Sequence, residues 1–214
     1  ATLALDPLDQ WARDLAGLPL TSDAPTLLDV AIEYASAGFT DDALRVLERA
    51  AAACENNALG QVQVAPLVQY HRAALLEAAG RSDDAAAARA LARIVDRTLC
   101  QPSRTADIAA LEQALKHGAG DPLAAMLLGN WHYDKRRYTE AVAYWKSAES
   151  VLGAAAEGGQ DRDSLVIVLR NLAIAAHNVQ GDGEAALTAY GRARELAPAD
   201  AKLLYEYDQL AARL

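Results

Sequence analysis

Four histidines (His71, His117, His132 and His177) and two cysteines (Cys54 and Cys100) are the residues best suited to metal binding or nucleophilic chemistry. A metal site needs several such ligands at fixed spacing. None of the histidines has a second histidine at that spacing, and neither His-Glu-x-x-His nor Cys-x-x-Cys occurs. His132 and Asp134 are two residues apart on a helix and so do not face each other. There is no Gly-x-Ser-x-Gly elbow and no phosphate-loop motif. Gly118-Ala119-Gly120 precedes a helix and could bind an anion, but it lacks a preceding strand and reads more simply as a linker. Cys54 and Cys100 fall near the ends of second helices and read as buried thiols, with a bridge left open until their separation is known. The histidines read as helix-surface or hairpin-interface residues. No catalytic residue, metal or cofactor is expected.

Composition says which elements must carry any remaining function. Hydrophobic residues make up 52% of the 214 residues and aromatics only 6%, which allows a sizeable core but disfavours a sheet protein. About a quarter of the chain is alanine, the strongest helix former and one that lets helices pack closely. The net charge of −9 argues against a nucleic-acid partner and against an anionic membrane surface. No stretch approaches the roughly 18 uninterrupted apolar residues of a membrane span. Two cysteines make a reduced, cytoplasmic setting the default expectation. The first residue is Ala rather than Met, so the chain reads as a piece of a longer protein that could have lost a leader.

The chain repeats itself. Ala37-Gly38-Phe39-Thr40-Asp41-Asp42-Ala43 and Ala79-Gly80-Arg81-Ser82-Asp83-Asp84-Ala85 nearly superpose. Each predicts a helix ended by a left-handed glycine, then a second helix capped by Thr40 or Ser82 with acids in its first turn. A third copy runs Leu128-Gly129, Tyr133, Tyr138, Ala141, Trp145 and Ala148, where Gly129 admits the second helix at Ala141. A fourth runs Leu172-Ala173, Ala186, Tyr190, Ala193 and Pro198, with one extra residue in its Gly181-Asp182-Gly183 turn. The corresponding positions are Ala31, Tyr34, Ala43, Leu47 and Ala50 in the first copy. In the second they are Ala73, Leu76, Ala85, Arg89 and Ala92, with charge in place of a large apolar group. Gly153 to Asp163 reads as a mobile loop.

The order of small residue, turn, alanine, large aromatic, alanine and proline resembles the tetratricopeptide repeat. That resemblance implies an all-α fold, a right-handed α-solenoid of about eleven helices whose hairpins complete one another's core. One repeat domain would span 1–214, with hairpins near 24–56, 62–99, 121–152 and 163–197. An extra helix is expected at 105–117, with end helices at 7–17 and 199–214 that turn Trp11, Leu204 and Tyr207 inward.

A closer resemblance is carried by five segments: Leu127-Leu128-Gly129-Asn130-Trp131-His132-Tyr133-Asp134-Lys135-Arg136-Arg137-Tyr138, Arg170-Asn171-Leu172-Ala173, Gly181-Asp182, Leu203-Leu204-Tyr205-Glu206-Tyr207-Asp208-Gln209-Leu210 and Leu5-Asp6-Pro7-Leu8-Asp9. They are similar to the C-terminal tetratricopeptide region of a large bacterial family of unknown function. Its members carry an N-terminal part rich in β-sandwich structure. The resemblance is weakest around Asn56 to Gln63. It implies a non-catalytic helical tail packing against other domains of its own polypeptide. Two further roles are a peptide-binding adaptor and an accessory region of a carbohydrate-active enzyme.

In tetratricopeptide arrays the first helices line a concave groove. Helical phase then places Asn130, Tyr133 and Asp134 there in the third copy, and Arg170, Asn171, His177 and Asn178 in the fourth. Asparagines can pair with an extended peptide backbone, and Arg170 can meet a carboxylate. Asn130, Arg170 and Asn171 are partial equivalents of a carboxylate clamp found in some relatives, whose lysines this chain lacks. A polar groove with no dedicated ligand is the competing reading. The Asp134-Lys135-Arg136-Arg137 run is either a solvated turn or a docking patch for an acidic partner. The expected partner is protein.

Overall fold

The computed structural model describes residues 2–55, 62–117, 120–155 and 159–214. Among them are twelve α-helices and no strand. The helix beyond the expected eleven is one short turn at the start. The chain divides into two compact units, Ala1–Ala110 and Leu111–Leu214.

The first unit holds α1 (Thr2–Leu5), α2 (Gln10–Leu15), α3 (Ala24–Ser36), α4 (Thr40–Glu55), α5 (Ala65–Ala78), α6 (Ser82–Ile94) and the start of α7 (Thr105–Ala114). Asp23 caps α3 by accepting from the Thr26 N–H at 3.0 Å, and Pro25 occupies its first turn. Helix α3 ends at Gly38, φ +85°, with the Phe39 N–H donating to the Tyr34 carbonyl at 2.9 Å. Helix α5 ends in the same way at Gly80, φ +75°, with the Arg81 N–H donating to the Leu76 carbonyl at 2.8 Å. The left-handed residue lets the chain turn back and satisfies a carbonyl the helix would leave open.

Thr40 and Ser82 are not the caps expected of them. Each is the first residue of its helix, and the Ser82 hydroxyl donates to Glu77 Oε1 at 2.8 Å. Ala31, Ala43, Leu47 and Ala50 are buried, as are Ala73, Ala85 and Ala92. Arg89, charged where the pattern wants a large apolar group, donates to Glu77 Oε2 at 3.1 Å.

A polar knot holds α2 to the α3–α4 hairpin. The Asp14 carboxylate accepts from Arg45 at 3.0 and 2.5 Å and from the Tyr34 hydroxyl at 2.7 Å. Trp11, half-buried, packs edge-on against Tyr34 with centroids 5.8 Å apart.

The second unit contains α8 (Pro122–Asp134), α9 (Tyr138–Ala155), α10 (Gly159–Ala175), α11 (Gly183–Leu196) and α12 (Ala201–Ala211). Asp121, Asp182 and Asp200 cap α8, α11 and α12 through backbone N–H groups. The predicted loop from Gly153 to Asp163 is mostly helix: α9 runs to Ala155 and α10 begins at Gly159, and residues 156–158 lie outside the described residues. The alanines after Gly153 favour helix, and Asp161 suits the positive end of α10. The Gly118-Ala119 part of the proposed anion-binding turn also lies outside the described residues.

The α8–α9 turn closes as the first two do, with the Arg137 N–H donating to the His132 carbonyl at 2.9 Å. Here a non-glycine residue, Arg136, takes the left-handed position at φ +58°. In the fourth hairpin the extra residue appears as a π-helical turn, Ala176–Gln180, closed by Gly181 at φ +69° and by the Asp182 N–H on the Ala176 carbonyl.

These closing bonds align the four hairpins. Ala31, Ala73, Gly129 and Ala173 are each followed three residues later by Tyr34, Leu76, His132 and Ala176, and all eight are buried. His132, not Tyr133, therefore takes the buried position in the third copy. Gly129 lies against Trp145, because a Cβ added at Gly129 would overlap the Trp145 indole. In α12 the buried residues are Leu203 and Leu210, whereas Leu204 and Tyr207 are half-buried.

Candidate functional site

The groove residues expected from the sequence, Asp134 apart, separate into two groups. Asn130, Tyr133, Arg170 and Asn171 are used inside the second unit. Asn130 Oδ1 accepts from the Trp145 indole at 3.1 Å and from Asn171 Nδ2 at 2.9 Å, tying α9 and α10 to α8. Tyr133 packs on Trp145 and Tyr138, with centroids 5.4 and 5.1 Å away. Arg170 grips Glu206 through Nε at 2.7 Å and Nη2 at 2.6 Å. The fork matches the carboxylate geometrically and joins α10 to α12. Hydrogen bonding from Arg170 holds the Glu206 carboxyl below its ordinary range. The clamp reading fails here, because the arginine already has its carboxylate inside the fold.

The sequence reading missed Glu206. The available signal was an opposite charge 36 residues downstream.

His177 and Asn178 form the second group. The π-helical turn carries both, exposed, onto the rim of a cleft of about 260 Å³ between α10 and α12. Ile174, Tyr190 and Leu210 supply apolar surface, while Tyr205, Gln209 and Arg213 continue the rim. Burial, followed by the Glu206 carboxylate, pushes the Tyr190 phenol up to about 12. Among the described residues, His177, Asn178, Tyr205, Gln209 and Arg213 have no side-chain hydrogen bond or ion pair. The cleft thus offers amides, a cation, an imidazole, two phenols and the Glu206 carboxylate around an apolar patch.

Asp134 is exposed and bonded to Lys135 Nζ at 2.7 Å. Arg137 lies over the Trp131 ring, 5.7 Å from its centroid. Two members of the basic run are therefore engaged locally.

Elsewhere, His71 Nε2 meets Asp107 Oδ1 at 2.9 Å, and Asp107 Oδ2 accepts from the Ser103 and Arg104 N–H groups at 3.0 and 2.9 Å. This is half of a capping box at the start of α7. Burial pushes the Asp107 carboxyl up, but His71 and the two backbone donors outweigh it and hold the group below its ordinary value. Cys54 and Cys100 are not in a disulfide, and burial pushes their thiols up to about 11 and 12. Such thiols are poor nucleophiles at neutral pH. No group of three or more metal-ligating side chains occurs among the described residues, and no described helix is long and apolar enough to cross a membrane. No protein-family model matches the chain.

Proposed function

We propose that this chain is a non-catalytic scaffold, a right-handed solenoid of tetratricopeptide-like hairpins that holds another protein segment. Its partner is another domain of a larger multidomain bacterial protein. The four matching turns and the buried small-residue positions support the repeat reading. The observation that carries the binding reading is the cleft at the π-helical turn. Its rim side chains are uncommitted among the described residues, whereas the neighbouring Asn130, Arg170 and Asn171 are consumed by the fold. Amide side chains beside apolar surface suit an extended backbone with one apolar anchor.

The same cleft favours a second reading, an adaptor for a separate peptide, since Tyr205 is 65% exposed beside it. An accessory role in a carbohydrate-active enzyme is a narrower form of the first reading and rests on the resemblance alone.

Selection of a displayed random-peptide library on the purified chain tests the cleft. Peptides should be enriched on the wild type and lost on an Asn178→Ala, Tyr205→Ala variant of unchanged helicity. Equal enrichment on both proteins overturns the assignment.

A further inference from the structure

One buried titratable side chain has no role in the scaffold described so far. His132 is only 7% exposed, and neither ring nitrogen has a hydrogen-bond partner. Its ring stacks on Tyr144, with centroids 5.1 Å apart and planes at 27°, and meets the edge of Trp131 at 5.0 Å. Tyr34, Leu76 and Ala176 take the same position in the other hairpins. Buried polar groups are ordinarily hydrogen-bonded, so an imidazole here gives up stability that an apolar ring would keep.

We propose that His132 makes the α8–α9 hairpin acid-sensitive: protonation expels the ring from between Trp131 and Tyr144 and loosens the Asn130 contacts with Trp145 and Asn171. The neutral ring leaves one donor and one acceptor unpaired. The cation leaves two donors unpaired and adds a buried charge. The Tyr144 face offsets part of that cost as a cation–π contact but supplies no hydrogen-bond acceptor.

The charged groups around the ring come from three elements. Glu112 on α7 and Glu140 on α9 favour the cation, and Arg137 in the turn opposes it. Burial is the largest influence and lowers the His132 value below the ordinary 6.5. A group depressed in the folded state binds its proton more readily when unfolded. Its contribution to stability is therefore complete above 6.5 and is lost as pH falls through the folded value. Asn130 is two residues from His132 on α8, so loosening this hairpin also releases α10, the helix that leads into the cleft.

The test is an NMR titration of the His132 ring in the wild-type chain, with the Trp145 indole N–H followed in the same spectra. The expected midpoint lies below 6.5, with faster exchange of the indole hydrogen through the same transition once intrinsic exchange is corrected for. A midpoint at or above 6.5, or an indole signal indifferent to the transition, overturns the proposal. Denaturant unfolding of His132→Phe adds a second arm. The wild type should lose more of its folded-to-unfolded ratio than the variant between about pH 7.5 and 5.5, by up to about tenfold across that window. Equal losses in the two proteins also overturn it. If His132→Phe does not fold, the wild-type titration still decides.

Discussion

Asn171 donates its side-chain amide to Asn130 Oδ1 at 2.9 Å, across 41 residues of sequence. The same oxygen accepts from the Trp145 indole, so one half-buried amide joins three helices. Asn130→Leu removes the shared acceptor and leaves both donors to find water. It should cost about 1–3 kcal/mol in urea unfolding. An unchanged midpoint would mean that the network contributes nothing.

Gly129 tests the hairpin register. Leucine there would have to displace the Trp145 indole or push α9 away from α8. Overpacking of this kind costs about 1–3 kcal/mol or more. Calorimetry should find a lower melting temperature, and an unchanged one contradicts the alignment of Gly129 with Ala31, Ala73 and Ala173.

Arg136 sits where the other three turns use glycine, at φ +58°. Arg136→Gly should stabilise the chain by about 1 kcal/mol, because only glycine enters this region without a Cβ penalty. Chemical denaturation reads the difference. Destabilisation would show that the arginine side chain makes a contact worth more than the strain.

The Asp107 carboxylate joins His71 to the start of α7. Its value is depressed in the folded state, so its stabilisation is complete above the ordinary 3.8 and is lost as pH falls through the folded value. Asp107→Ala orphans His71 and two backbone donors, and should cost about 1–3 kcal/mol or more at neutral pH while flattening the acid limb below pH 4. Unfolding curves from neutral to acid pH compare the two proteins, and parallel acid limbs would rule out this carboxylate as their source.

The helices and turns were legible because their signals are local. Gly38, Gly80 and Gly181 announce left-handed closures, and the alanines at Ala43, Ala85, Ala141 and Ala186 mark where second helices approach. Arg136 carries no such signal, because its turn is imposed by the hairpin rather than preferred by the residue. The sequence pattern puts Tyr133 at the position that corresponds to Tyr34, and the closing bond from Arg137 to the His132 carbonyl gives that position to His132. The candidate site was legible by half. Helical phase assigns Asn130, Arg170, Asn171, His177 and Asn178 to one groove, whereas only His177 and Asn178 of these line the cleft, because phase says nothing of what a neighbouring helix contributes. Glu206 consumes Arg170, and Asn130 consumes Asn171, through pairings between helices that no local window contains. The π-helical turn is likewise the product of one extra residue accommodated by packing, and it sets His177 and Asn178 on the cleft rim.

The most direct test of the scaffold reading is an amide chemical-shift map recorded while a library-selected peptide is titrated into the wild-type chain. The account predicts perturbations concentrated at His177, Asn178, Tyr205 and Gln209, with the Arg170–Glu206 pair intact. Perturbations confined to the first unit, or to the Lys135–Arg137 turn, would contradict it.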